Sequence, residues 1–339
     1  MPRSEITIDL GALRRNVRTL LRALDGSELW AVVKADAYGH GAVDCAAAAL
    51  DAGASALCVA TVAEAVQLRR ELVDARILVF GPATNREVAV AREARLELCV
   101  SHDELPEGVA VHVKLDTGMG RWGVAELPAP AREVVGVMTH LATADTDAKF
   151  ARRQIERFRA ATAPVAHLTR HVANSAAALR LPEARFDAAR CGIAIYGLSP
   201  FGTDAGEDGL EPVLAWTTEI ALAKPLRAGE STGYARRFVA ERDTWIGIVP
   251  VGYADGFRRD LSGTEVRVAG ERRRVVGTVS MDAFAVELER ELPPGTPVTI
   301  VGRGLPLEEH ARAAGTITYE LSCGINSAPT RARRVVVDS

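Results

Sequence analysis

Eight short apolar runs, separated by amphipathic stretches, fill the first two hundred residues of this 339-residue chain and constrain its fold more than any other feature. They read "LWAVVKA", "ALCVA", "RILVFG", "LELCVS", "VAVHVKLDT", "VVGVMTHL", "VAHLTRHVA" and "ARCGIAIYG", the last ending at Gly197. Runs this continuously apolar suit parallel strands covered on both faces. Helical patterns precede or separate several of them: "DLGALRRNVRTLLRAL", "DCAAAALDAG", "TVAEAVQLRREL", "NREVAVAREA" and "DAKFARRQIERFRAATA". The count predicts an α/β fold with a (β/α)8 barrel over residues 10–212, whose chemistry belongs at the C-terminal ends of the strands. Some helices should be truncated. Few residues separate "LELCVS" from "VAVHVKLDT", and the two prolines of "LPAP" discourage a helix between Gly123 and Val134.

Past Pro212 the texture changes. "WTTEIALAKPL", "TWIGIVPVGYADG", "EVRVAG", "RRVVGTVSMDAFAVEL", "TPVTIVG" and "RRVVVD" alternate with Gly- and Pro-containing turns, which predicts a C-terminal β-rich domain over residues 213–339. The acidic "SPFGTDAGEDGLEP", from Ser199 to Pro212, reads as the connector. Residues 3–9, "RSEITID", alternate like a strand, and residues 1–9 are expected to pair with the later domain.

A net charge of −3 gives no reason to expect nucleic acid or anionic membrane as a partner. No apolar run reaches bilayer length and "MPRSEITIDL" lacks the apolar core of a signal peptide, so a cytoplasmic location is expected. Cys45, Cys58, Cys99, Cys191 and Cys323 form no CxxC or CxxH pair, which argues against a disulfide framework or a metal site.

The strand ends repay an inventory. The first run carries Lys34 at its end, where a lysine loses hydration and is costly unless its charge is used, with Tyr38 four residues on. The fifth contributes Lys114, Asp116 and the loop residue Arg121; the sixth His140; the seventh Asn174 and Ser175; the eighth Arg190 before Gly192 and Ile193. Titratable groups recurring at one end of consecutive strands mark a site.

Seven motifs in order, "AVVKADAYGHG", "VKLDTGMGRWG", "THLATAD", "HVANSAAAL", "RCGIAIYGL", "PVGYADG" and "VSMD", resemble those of alanine racemases, fold-type III enzymes dependent on pyridoxal 5'-phosphate. The resemblance runs from about Thr7 to about Cys323. It implies that Lys34 holds the cofactor covalently and serves as one of two bases, which suits a partly desolvated lysine beside other cations. It implies a homodimer with shared active sites, because the opposite base, Tyr234 in "GESTGYARRF", comes from the second subunit. Interconverting enantiomers needs a base on each face of Cα, and an ordinary phenol is a poor one unless cations favour its phenolate. His140 and Arg190 resemble a hydrogen-bonded chain leading from that tyrosine to the cofactor ring. Relatives have serine before and glycine after the tyrosine, whereas this chain has Gly233 and Ala235.

By the same resemblance, Arg190 contacts the pyridine nitrogen and, being too weak an acid to protonate it, leaves the ring a modest electron sink. Tyr38, Ser175 and the backbone N–H groups of Gly192 and Ile193 hold the phosphate at the helix beginning near Asn174, which equally suits a plain helix cap. Arg121 binds the substrate carboxylate, helped by the backbone N–H of Met281 from the other subunit. Lys114 corresponds to a lysine that relatives carbamylate, giving an anion that orients the arginine. Asp282 and Tyr253 line the entry path, although an interface-packing role suits Tyr253 as well. Ser327, in "INSAPTRARR", stands where relatives place a tyrosine that completes the phosphate cradle and narrows the entrance.

The leading expectation is an amino-acid racemase acting on alanine, with serine as an alternative substrate opened by Ser327. A decarboxylase on the same scaffold generally carries an acidic group opposite the pyridine nitrogen, and Arg190 counts against it. A cofactor carrier would need no second base, and Tyr234 counts against that.

Overall fold

The computed structural model describes residues 3–129 and 131–339. Met1, Pro2 and Pro130, the last being the second proline of "LPAP", lie outside the described residues. The chain divides into two compact units, Gly11–Glu211 and a second made from Pro212–Ser339 together with the chain up to Leu10.

In the first unit eight parallel strands close a barrel: Glu28–Val32, Ala56–Val59, Ile77–Val79, Glu97–Val100, Ala110–Lys114, Val134–Met138, Thr169–His171 and Ala188–Cys191. The eighth pairs back onto the first, Ala188 opposite Glu28 and Arg190 opposite Trp30. Their apolar side chains are buried almost without exception, Leu29, Trp30 and Leu57 completely. The helix Leu10–Leu24 turns Leu13, Val17, Leu20 and Leu24 inward at helical spacing. Helices Val62–Glu71 and Asn85–Glu93 each open with a reciprocal capping box, Thr61 with Glu64 and Thr84 with Glu87. No helix is described between the fourth and fifth strands or between the fifth and sixth, so the barrel is trimmed on the expected flank.

Three details differ from the sequence expectation. The first run leaves the strand at Val32, and Lys34–Tyr38 form a turn of the opposite hand. The eighth run stops pairing at Cys191; Gly192 redirects the chain into a 3-10 turn, Ile193–Tyr196, closed by Gly197 at φ 68°. The connector is no loose linker, because Ser199, Ala205 and Leu210 are buried and Asp208 pairs with Arg180 at 3.6 Å.

The second unit is built on one nine-stranded sheet. Its strands lie in the order Leu222–Leu226, Thr244–Val249, Phe284–Leu288, Glu271–Val276, Glu265–Val268, Pro297–Val301, Leu214–Glu219, Ser4–Asp9 and Ala332–Val337. Strand Ser4–Asp9 runs antiparallel to Leu214–Glu219 and parallel to Ala332–Val337. Two seven-residue helices, Leu307–Ala313 and Thr318–Gly324, belong to it as well, as does a separate two-stranded ribbon, Ser231–Thr232 with Phe238–Val239.

Candidate active site

The C-terminal mouth of the barrel begins at Val33, whose N–H donates to Cys58 O at 2.9 Å, immediately before Lys34. The chain then makes a left-handed turn: Ala35, Asp36, Ala37 and Tyr38 all have φ between 51° and 55°. For L-residues this conformation costs about 1–2 kcal/mol each, so the surroundings must impose it. They do. Glu64 accepts from Ala35 N at 2.7 Å, Asp36 accepts from Ala42 N at 2.7 Å, and His40 Nδ1 bonds to Ala37 O at 2.9 Å. His40 stacks on Tyr196 at 4.5 Å, and the Tyr196 hydroxyl donates to Val32 O at 2.8 Å. The result points Tyr38, itself 5.2 Å from Tyr196, inward and buried, with Lys34 half-buried at the rim.

Tyr38 reaches Gly192 so closely that a Cβ there would lie 2.5 Å from the phenol oxygen. Ser175 Oγ accepts from Gly192 N at 3.0 Å and Ala194 N at 3.4 Å, so its own proton is left to donate. Gly192, expected to offer its N–H to a ligand, thus gives it to Ser175 and contributes mainly its missing side chain. Asn174 caps the short helix that follows, its Oδ1 accepting from Ala177 N at 3.0 Å. Ile193 is buried beside this cradle.

Arg190 is 4% exposed and almost wholly bonded to the barrel. Nη1 donates to His171 O at 2.7 Å and His171 Nδ1 at 3.0 Å; Nη2 donates to Thr139 O at 2.8 Å and Val172 O at 3.1 Å. A longer contact of 3.5 Å joins Nη2 to His140 Nδ1. Among the described residues Nε takes no partner and remains the available donor. Burial lowers the guanidinium to about 10, which still leaves it charged at neutral pH.

His140 feels the whole mouth. Its pKa is driven down to about 3, first by burial and then by Arg190, Lys114, Arg121 and Lys34, so the imidazole is neutral. Four cations drawn from three barrel strands and their loops therefore converge on one histidine. Lys114 is 5% exposed, with its pKa lowered by burial and, among its charged neighbours, by Arg121 and Arg190. Trp122, unremarked in the sequence, lies beside both, its ring 5.6 Å from Lys114 Nζ and 5.5 Å from the Arg121 guanidinium carbon. Asp116 shapes their loop by accepting from Gly118 N, Met119 N and Gly120 N at 2.8–3.2 Å.

Tyr234, Met281, Asp282, Tyr253 and Ser327 belong to the other unit, on loops that are joined to one another. Thr278 donates to Tyr234 O at 3.3 Å, and Tyr253 N and Ala254 N donate to Ser280 O and Met281 O at 3.1 and 3.0 Å. Tyr234 is 70% exposed, Met281 51% and Tyr253 42%. Asp282 is held by Arg331 at 2.6 Å, and Arg331 also lies 3.5 Å from the buried Asp255. Half-buried Ser327 follows Asn326, whose side chain donates to Ala254 O at 3.0 Å. Asp255 and Arg331 were not singled out in the sequence; the aspartate of "GYADG" was the available signal.

Among the described residues no helix is long and apolar enough to cross a membrane. Residues 8–200 match the family model for the alanine racemase N-terminal domain, and residues 213–335 that for the C-terminal domain. The chain is 41% identical to alanine racemase 1 of Bacillus subtilis, covering 94% of this chain and 90% of the relative. It is 40% identical to the alanine racemase of Symbiobacterium thermophilum, covering 94% of each. In structure it matches the alanine racemase of a D-cycloserine-producing Streptomyces lavendulae with a TM-score of 0.92 and 36% identity, over 100% of this chain and 98% of that one. The alanine racemase of Bacillus anthracis solved with bound L-Ala-P matches with a TM-score of 0.88 and 34% identity, over 100% and 96% of the two chains. With both halves of the barrel-plus-sheet architecture matched over nearly their full length, the chain belongs to the alanine racemase family.

Proposed function

We propose that this protein interconverts the enantiomers of alanine with pyridoxal phosphate at the C-terminal mouth of the barrel. The observation that carries the reading is the ring of Lys34, Lys114, Arg121 and Arg190 around neutral His140, beside the Tyr38–Gly192–Ser175 cradle. Such a mouth suits a ligand with a phosphate at one end and a carboxylate at the other.

The residues fit that cofactor. The side-chain-free Gly192 leaves room beside the Tyr38 hydroxyl, Ser175 keeps a proton to donate, and the Ile193 N–H completes the phosphate contacts. Asn174 supports them as the helix cap. Arg190 keeps Nε–H for the pyridine nitrogen and stays charged, so it supplies a hydrogen bond without a proton. When bound, pyridoxal phosphate withdraws electrons from the substrate's Cα and makes its proton removable.

Lys34 holds the cofactor and afterwards takes or returns the Cα proton on one face. Tyr234 of a second copy serves the other face, His140 and Arg190 forming the chain behind it. Arg121, steadied by Trp122, binds the substrate carboxylate with Met281 N–H of that second copy, and a carbamate on Lys114 would relieve the repulsion between Lys114 and Arg121. Asp282 and Tyr253 flank the approach. The homodimer is supported by the exposed cluster of Tyr234, Met281 and Tyr253, a patch of aromatic and thioether groups suited to a second copy of the chain. The cofactor domain is read as residues 10–212, and residues 213–339 as the domain that lends the second base. The cytoplasm is the compartment proposed, in keeping with cysteines that form no disulfide among the described residues.

Incubation with pyridoxal phosphate and L-alanine in deuterated water tests the reading. Deuterium at Cα and both enantiomers are expected. Release of carbon dioxide would point to a decarboxylase, and an absence of exchange with any amino acid would leave a cofactor carrier. Mixing Lys34→Ala and Tyr234→Phe proteins, each deficient in racemisation, should restore racemisation if the sites are shared.

A further inference from the structure

A line of buried hydrogen bonds crosses the barrel interior from Arg190 at the catalytic mouth to the opposite end. Arg190 Nη1 meets His171 Nδ1 at 3.0 Å, His171 Nε2 meets His112 Nδ1 at 2.8 Å, and His112 Nε2 meets Glu97 Oε2 at 2.9 Å. Glu97 opens its strand at the N-terminal end and also accepts from Arg76 Nε at 2.8 Å. Both histidines are fully buried, and Trp30 packs against each, its ring 4.5 Å from His171 and 5.6 Å from His112.

The backbone is shaped for this line. Pairing between the fifth and sixth barrel strands slips in register at Val111/His112, the kind of irregularity that re-aims a side chain. Opposite it stands Gly136, where a Cβ would lie 2.2 Å from His112 Nδ1. Any larger residue would displace the ring, so the sixth strand carries its glycine where the histidine must pass.

Chemistry fixes the direction of every bond. A guanidinium only donates, so His171 Nδ1 must be bare and its proton must sit on Nε2. That proton points at His112 Nδ1, which must also be bare, leaving the His112 proton on Nε2, where the Glu97 carboxylate accepts it. The two ends demand the same pair of tautomers. Burial lowers the pKa of both histidines, in keeping with neutral rings.

We propose that Glu97 and His112 are positioning residues for the reaction: they lock His171 in the tautomer whose Nδ1 accepts from Arg190, and so hold that guanidinium in place. This rests on the reading that Arg190 faces the cofactor ring. Without an acceptor at position 97 the His112 proton loses its reason to stay on Nε2. If it moves to Nδ1, two N–H groups confront each other between the histidines, and His171 is driven toward presenting an N–H to Arg190.

Nitrogen-15 spectra of histidine in the cofactor-free protein read the tautomers directly. His112 and His171 should both be neutral with the proton on Nε2 between pH 6 and 8, values chosen about the ordinary histidine pKa. Glu97→Met should populate the Nδ1–H form of His171 and weaken pyridoxal phosphate binding about tenfold per folded molecule. Glu97→Gln, which keeps a carbonyl acceptor, should restore the tautomer and most of the affinity. A proton on His171 Nδ1 in the parent protein would overturn the proposal, even if neither variant folds. So would a Glu97→Met protein that melts earlier yet keeps both tautomer and affinity, since that is a purely structural role. Loss of the racemase reading itself would appear as an absence of exchange in the parent protein, with its histidine spectra unaffected.

Discussion

Replacing Gly192 by alanine tests the cradle at its tightest point. The new Cβ would lie 2.5 Å from Tyr38 Oη and 3.1 Å from Cζ, so the phenol must retreat by roughly 1 Å to reach ordinary contact. Tyr38 is buried, packed at a tilt against Tyr196 and mounted on a turn fixed at four successive positive φ angles, so it cannot swing away freely. Overpacking of this kind costs about 1–3 kcal/mol, which is roughly a five- to hundredfold loss in affinity if it falls on the cofactor-binding conformation. Tyr38→Phe removes the clashing oxygen along with its hydrogen bond. In the Tyr38→Phe background the alanine substitution should therefore cost about 1 kcal/mol less than in the parent. Absorbance titration of pyridoxal phosphate into the four cofactor-free proteins gives the cycle, and thermal melts confirm that each is folded. Additivity within about 0.3 kcal/mol would show that Gly192 is not kept for the tyrosine and would refute the reasoning.

Ala35→Gly, at an exposed residue with φ 51°, should raise the unfolding free energy from urea melts by about 0.5 kcal/mol or more, because relief of the left-handed conformation exceeds glycine's backbone entropy. A loss near 1 kcal/mol, usual for this change in a regular helix, would contradict it. Tyr234→Phe should slow Cα exchange more from L-alanine than from D-alanine, as chiral exchange rates in deuterated water will show; equal slowing would undo the two-base assignment. Buried His310, its pKa lowered chiefly by burial, is neutral when folded but takes a proton when unfolded below about pH 6.5. Its contribution is complete above that pH and is lost progressively on acidification below it, so His310→Gln should make the decline of unfolding free energy below about pH 6.5 shallower, as urea melts across that range will show. Ser327→Tyr should tighten cofactor binding and raise the alanine-to-serine rate ratio; unchanged values would mean that the residue does not face the entrance.

Most of the fold was legible because burial leaves plain marks. Unbroken apolar runs such as "ALCVA" have no face for water, and the lone prolines and short gaps on the fourth-to-sixth strand flank leave too little chain for helices. The left-handed turn was not legible. Ala35, Asp36 and Ala37 are not glycines, and their handedness is held in part by Glu64, 29 residues from Ala35, alongside the neighbouring His40. The eighth run misled because "IAIY" is as buried in its 3-10 turn as it would be in a strand. At the mouth, Lys34, Arg121, His140 and Arg190 could be named from their strand ends, whereas Trp122 passed as one more aromatic. Glu97, His112 and His171 escaped because their strands separate them in sequence, and only closure of the barrel brings them into line.

The placement of Ser4–Asp9 inside the C-terminal sheet has a consequence for synthesis. Between Leu214–Glu219 and Ala332–Val337, this strand cannot find either neighbour until about two hundred further residues have been made. At roughly 5–20 residues per second this strand waits unpaired for tens of seconds while the barrel is being made, and the last barrel strand precedes Leu214–Glu219 by only a few seconds of synthesis. The barrel is thus, in chain order, an insertion within the other unit. An N-terminal fusion or a deletion of these few residues should leave the barrel forming normally, and strike the unit to which Tyr234 belongs.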